Sequence, residues 1–167
     1  MINERIDRRW KQLQREEEKK LGFVAIHAVG CIEGNNTPLN TNYRIVRIGY
    51  SSDPANNIKQ GQSWNSKRFE ILCMLWALDR AHAQRVYKEL MKGLDHQKPL
   101  YEDTEELIGP WYRVPSAMGA FTDREVMEFS IKDAAAALGV NLLTESEYEV
   151  KVDGLIMRRL NRVLDGV

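Results

Sequence analysis

At 167 residues the chain has room for one domain with its own core, and not for two domains of ordinary size. Its composition, 43% hydrophobic and 29% charged, is that of a globular protein and excludes a disordered or fibrous one. The net charge of zero is made of unequal parts: residues 42–92 carry nine Lys or Arg against four Asp or Glu, and residues 93–167 carry eight against fourteen, so a polyanion is drawn to the middle of the chain and repelled by its last third.

In chain order, residues 2–21 read as a helix, because Ile6, Trp10 and Leu13 recur at helical spacing among Arg, Lys, Glu and Gln. The apolar stripe is narrow, which suits docking on the parent domain or an arm that pairs with a second subunit. Residues 22–29 are short, apolar and bounded by glycines, as in a buried strand. The turn formers Gly34-Asn35-Asn36-Thr37-Pro38 then lead into a second strand over 43–49. Asp53 is placed to cap a short helix running from Pro54 to Lys59. After a polar loop over 61–67, the unbroken apolar run 68–78 fits a central strand. A helix begins at Asp79, with Ala83, Val86, Leu90 and Leu94 on its buried stripe and Gly93 near its end, so that Gln84 and Lys88 share a neighbouring face. Residues 95–107 are acidic loop, and a short strand follows at 111–115. Thr122-x-x-Glu125 and Thr144-x-x-Glu147 are capping boxes that head two C-terminal helices, broken at Gly139. These divide the chain into an N-terminal helical arm (1–21), a core (22–115) and a C-terminal helical extension (116–167).

Cys31 and Cys73 lie far apart and fit neither a metal knuckle nor a redox motif, so they read as free buried thiols. His27, His82 and His96 fall outside metal-ligand spacing and read as surface or packing residues. No apolar run reaches the roughly 20 residues of a membrane span, and Asn3-Glu4-Arg5 does not open a secretory signal. The expectation is a soluble, cytoplasmic chain with no membrane contact.

The run Arg47-Ile48-Gly49-Tyr50-Ser51-Ser52-Asp53-Pro54 resembles the K-I-G-x-[ST]-x-[DN]-P stretch of a phage-rich branch of the GIY-YIG nuclease superfamily, and Pro110-Trp111-Tyr112 resembles the closing E-W-F segment of that branch. The order of elements over about residues 22–115 is also that of the GIY-YIG core. The resemblance implies an α/β fold: a small, mainly antiparallel three-stranded sheet flanked by helices, with the N-terminal helix and a C-terminal helical hairpin added. It also implies a mechanism in which tyrosines near an attacking water, an arginine on the short helix and a glutamate on the long helix holding Mg cleave a phosphodiester. Such a reaction needs a cation and a metal-bound carboxylate where charge develops.

At the matching positions this chain carries other residues. The tyrosine of the first strand falls on Ala25 or its neighbours Val24 and Ile26, the arginine on Asn57, the glutamate on Gln84 and a histidine one turn later on Lys88. The resemblance therefore implies a degenerate nuclease fold with no cofactor, which binds nucleic acid or a nucleoprotein through Arg47, Tyr50, Lys59, Lys67, Arg68 and Lys88, with Tyr43 and Trp64 also available to stack on bases. Two alternatives stay open. One is an active Mg-dependent DNA endonuclease using Asp53, Glu70 or Glu89. The other is an adaptor or inhibitor that meets a protein partner, or a second copy of itself, through its terminal helices.

In the last third, Ile131 to Val140 resembles the first helix and turn of a helix-turn-helix, with Ala135 and Gly139 at the expected separation. Glu145, Glu147 and Glu149 would then stand where a recognition helix approaches phosphates, and repulsion disfavours it. A hairpin in which Val126, Phe129 and Leu138 face Leu155, Leu160 and Val163 is the preferred reading, its acidic surface able to mimic nucleic acid toward a basic partner.

Overall fold

A computed structural model describes residues 2–32, 43–63, 68–94, 112–115 and 123–165. The elements are α1 (Ile2–Lys20), β1 (Val24–Ile32), β2 (Tyr43–Ser51), α2 (Pro54–Ser63), β3 (Arg68–Ala77), α3 (Arg80–Leu94), β4 (Tyr112–Pro115), α4 (Asp123–Ala137) and α5 (Glu145–Asp165). Their order is the one expected from the sequence, and the α/β architecture with an antiparallel sheet between helices is present.

β1 runs through the middle of the sheet, paired antiparallel with β2 on one side and β3 on the other. The short β4 adds to the far side of β2 over Tyr43–Val46, giving the order β3-β1-β2-β4. Strand alternation then sends side chains to two faces. Val24, Ile26 and Ala28 point to a face covered by α3 and α4, where they join Val46, Ile48, Leu75, Val86, Met127 and Ile131. Ile131 is fully buried there, and its truncation to Ala would cost about 2–5 kcal/mol. Ala25 points to the other face and packs with Phe23, Trp76 and the α5 residues Tyr148, Val152 and Ile156. Tyr148 stacks flat on Trp76 at 3.7 Å and meets Phe23 edge-on at 5.5 Å. A bulge in β3 opposite Ala28 and Val29 places Leu72 and Cys73 on the α4 side and leaves Ile71 exposed.

The caps explain the boundaries. Asp53 Oδ1 accepts from the Asn56 amide at 3.3 Å to start α2, and Asp79 Oδ1 accepts from the His82 amide at 2.8 Å to start α3. Thr144 Oγ1 accepts from the Glu147 amide at 3.3 Å and its hydroxyl donates to the Glu147 carboxylate at 3.0 Å. α4 ends at Gly139, whose φ of +66° suits glycine, with Val140 N–H bonded to Ala135 C=O at 2.9 Å and Gly139 N–H to Ala136 C=O at 3.1 Å. Thr122 lies outside the described residues.

Three expectations are corrected. α2 continues to Ser63 rather than stopping at Lys59, and β1 reaches Ile32 rather than Val29. The C-terminal helices do not form a mutual hairpin: Val126 and Leu138 pack into the core under α3, while Leu155 packs into the core on the opposite face. The cause is Leu143, which lies between the two helices and exchanges two 2.8 Å backbone hydrogen bonds with Trp76 on the edge strand β3. The chain is led around that edge, so α5 does not follow α4 as the second helix of a helix-turn-helix.

Candidate nucleic-acid interface

The Arg47-Ile48-Gly49-Tyr50 run lies on β2 beyond the reach of β4, which pairs only with Tyr43–Val46. Among the described residues this end of β2 is bordered by β1 alone. Because neighbours on a strand point to opposite faces, Arg47 and Gly49 face α2 while Ile48 and Tyr50 face α3. Two groups of side chains therefore stand on opposite faces of this length of β2.

On the α2 face the central residue is His27, opposite Gly49 in register and only 4% exposed. Its imidazole has Asn57 of α2 as a hydrogen-bonding partner, and its Nδ1 meets no partner among the described residues. Burial pushes its pKa from the usual 6.5 down to about 4, the neighbouring Arg47 guanidinium adds to this, and Asn57 opposes it. The ring is thus neutral at pH 7. Two glycines make the packing possible: a Cβ at Gly49 would stand 3.0 Å from His27 Nε2, and one at Gly61 would stand 3.0 Å from Arg47 Nη1. The half-buried Arg47 thereby lies along α2 with its charge beside His27.

On the α3 face Tyr50 packs against Tyr87, ring centres 5.1 Å apart, and the Arg80 guanidinium lies 5.9 Å from the Tyr50 ring centre. Arg80, Gln84 and Lys88 follow one another at four-residue intervals on α3 and are all exposed. They form one row along the helix beside the tyrosine pair. Arg80 and Tyr87 were absent from the residues picked out by motif. Continuing the Gln84–Lys88 interval one step back leads to Arg80, so the signal was present.

The sequence-derived residues are thus divided. Ala25 is fully buried under Trp76 and Tyr148, with Val24 and Ile26 buried on the opposite face, so each position considered for the first-strand tyrosine belongs to the core. Asn57 serves His27. Lys59 is exposed on α2, Arg68 is exposed at the start of β3, and Lys67, Trp64, Pro110 and Trp111 lie outside the described residues. Arg47 and Tyr50, two of the expected contacts, stand on opposite faces.

No family model, curated protein or solved structure matches this chain.

The three carboxylates considered for hydrolysis are engaged separately. Asp53 caps α2, Glu70 pairs with Arg124, and Glu89 pairs with Lys92 at 3.3 Å. At the position matched to the metal-holding glutamate, Gln84 offers a neutral amide with Arg80 one turn before it and Lys88 one turn after. Magnesium takes hard oxygen ligands including one or two carboxylates, and a row of this charge does not fit it. Exposed cations in such a row are of a kind that meets phosphate oxygens, and the tyrosine pair beside them is partly buried against the core.

Proposed function

We propose that this protein binds nucleic acid without cleaving it, through the rim formed by α3 and the end of β2 that carries Arg47 to Tyr50, on a scaffold resembling a degenerate GIY-YIG core. The observation that carries the reading is the Tyr50–Tyr87 pair with Arg80 against it and Lys88 two turns further along α3. Stacking of a base on an aromatic ring contributes about 1–3 kcal/mol and is tolerant of sequence, and a guanidinium adds phosphate contact. Arg47 adds positive charge from the other side of the same edge, next to an imidazole that is itself uncharged at neutral pH. The element order, the Arg47-Ile48-Gly49 run and the basic balance of residues 42–92 support the reading from the sequence side.

The test is fluorescence anisotropy with labelled single- and double-stranded oligonucleotides at low salt. Arg80→Glu, at an exposed position, is expected to weaken binding about tenfold or more while leaving the circular dichroism spectrum unchanged. Wild-type binding that this reversal leaves unaltered would remove α3 from the interface. An endonuclease built on Glu89 would instead nick plasmid DNA with Mg or Mn and lose that activity in Glu89→Gln.

A further inference from the structure

Among the described residues, every exposed side chain of α3 is cationic or neutral: Arg80, Arg85, Lys88 and Lys92, with Ala81 and Gln84 among them. The two carboxylates nearby are engaged, since Asp79 caps the helix and holds His82 at 2.7 Å, and Glu89 is bonded to Lys92 at 3.3 Å. Neither Arg85 nor Lys88 meets a carboxylate among the described residues. The opposite side of the helix is apolar, with Ala83, Val86 and Leu90 buried in the core.

The exposed cations are divided between two flanks. At about 100° per residue, Arg80 falls on one flank of the exposed arc, Gln84, Lys88 and Ala81 on its crest, and Lys92 and Arg85 on the other flank. The Arg80 flank is the one beside Tyr50, and Arg85 lies about 160° around the helix from Tyr87. A single strand stacked on the tyrosine pair uses the Arg80 flank alone and leaves Arg85 idle. Two phosphate strands, one on each flank, engage both. The major groove of B-form DNA offers that arrangement, being about 12 Å wide and able to admit a helix about 10–12 Å across. The 15 residues of α3 extend about 22 Å, enough to follow a groove past several base pairs.

From this we infer that α3 lies in the major groove of duplex DNA, with Arg80 reaching the phosphates of one strand, Arg85 those of the other, and Gln84 on the crest presented to a base edge. A glutamine amide donates and accepts at once, which suits the N6 and N7 of adenine. Gln84 is thereby a specificity-determining residue, at a position where the resemblance shows only a lost metal ligand. This docking rests on the reading of α3 as a nucleic-acid contact, to which it adds the class of nucleic acid and the roles of Arg85 and Gln84.

Fluorescence anisotropy of the full chain with a labelled DNA duplex, the same DNA strand unpaired and an RNA duplex of the same sequence tests it. The DNA duplex is expected to bind at least about tenfold tighter than the other two, because the deep, narrow major groove of A-form RNA is closed to side chains. Arg85→Glu is expected to weaken duplex DNA binding about tenfold, and Arg85→Gln, which removes the charge without reversing it, to weaken it less. Unchanged circular dichroism would verify that both variants fold. Selection from a pool of randomised DNA duplexes is expected to enrich a site containing adenine with the wild type, and to enrich none with Gln84→Ala. Single-stranded DNA or duplex RNA bound as tightly as duplex DNA, or duplex binding that Arg85→Glu leaves unaltered, would overturn the docking while leaving the proposed function in place. The same site enriched by both proteins, or none by the wild type, would remove Gln84 from the readout. No binding to any of the three probes would overturn the docking and the proposed function together.

Discussion

Gly49 has a role in the fold that its place in a short motif does not reveal. In the sequence it belongs to the Arg47-Ile48-Gly49 run that carries the family resemblance. In the structure it faces His27, and a methyl group there would stand 3.0 Å from the imidazole. The glycine, the buried ring and Asn57 therefore form one unit, in which the residue matched to a phosphate-binding arginine is a hydrogen-bonding partner of a neutral histidine. This has a consequence for acid stability. The His27 pKa is lowered on folding to about 4 from 6.5, so between those values the unfolded chain binds more protons than the folded one and stability falls as pH falls. The limiting effect is roughly 2–4 kcal/mol. Urea denaturation of wild type and His27→Gln at pH 7, 5.5 and 4.5 should show a steeper loss in wild type, and parallel losses would contradict the burial argument. Cys73 follows the same physics with the opposite sign, since burial and then Glu128 raise its thiol pKa to about 12 and keep it protonated at neutral pH.

Among the elements, the most consequential contact is also the least conspicuous. Two hydrogen bonds between Leu143 and Trp76 turn the chain around the β3 edge and decide that α4 and α5 cover different faces. Leu143→Pro removes one donor, and the loss of a buried backbone bond together with local strain should cost about 2–3 kcal/mol. It should also speed amide exchange at Trp76 far more than at Ile26. Equal protection at Trp76 in both proteins would show that the bridge is not what holds α5 in place. Most element boundaries were legible because they are written in local chemistry: Asp53-Pro54, Asp79, Thr144 with Glu147, and Gly139 each cap a helix as their residue types demand. The α4–α5 separation was not legible, because Asn141-Leu142-Leu143 has no pattern that distinguishes an isolated bridge from ordinary loop. Nor was the extension of α2 through Gly61, where a residue that normally weakens a helix is placed to make room for the Arg47 guanidinium. Of the residues named from the resemblance, Tyr50 lies on the α3 side of the sheet and Lys88 is exposed on α3. Arg47 could be named but not placed, because the strand period sends it to the face opposite Tyr50.

For the whole molecule, α3 with its exposed Arg80 and Lys88 lies on one side of the sheet, and α5, with Glu145 and Glu147 in its first turn, covers the other. On the proposed reading a polyanion meets the β2–α3 rim, where these cations are exposed. Among the described residues no helix is long and apolar enough to cross a membrane. On the proposed reading, phosphate contacts at this rim hold a nucleic acid in place. Each cation neutralising a phosphate contributes close to one unit to the slope of log affinity against log salt concentration. The most direct measurement is that slope, from oligonucleotide binding between about 50 and 200 mM salt, for wild type and for Arg80→Glu with Lys88→Glu. A wild-type slope shallower by about two units in the double variant, with weaker binding throughout, is the predicted result. Identical slopes, or no salt-dependent binding by the wild type, would contradict it.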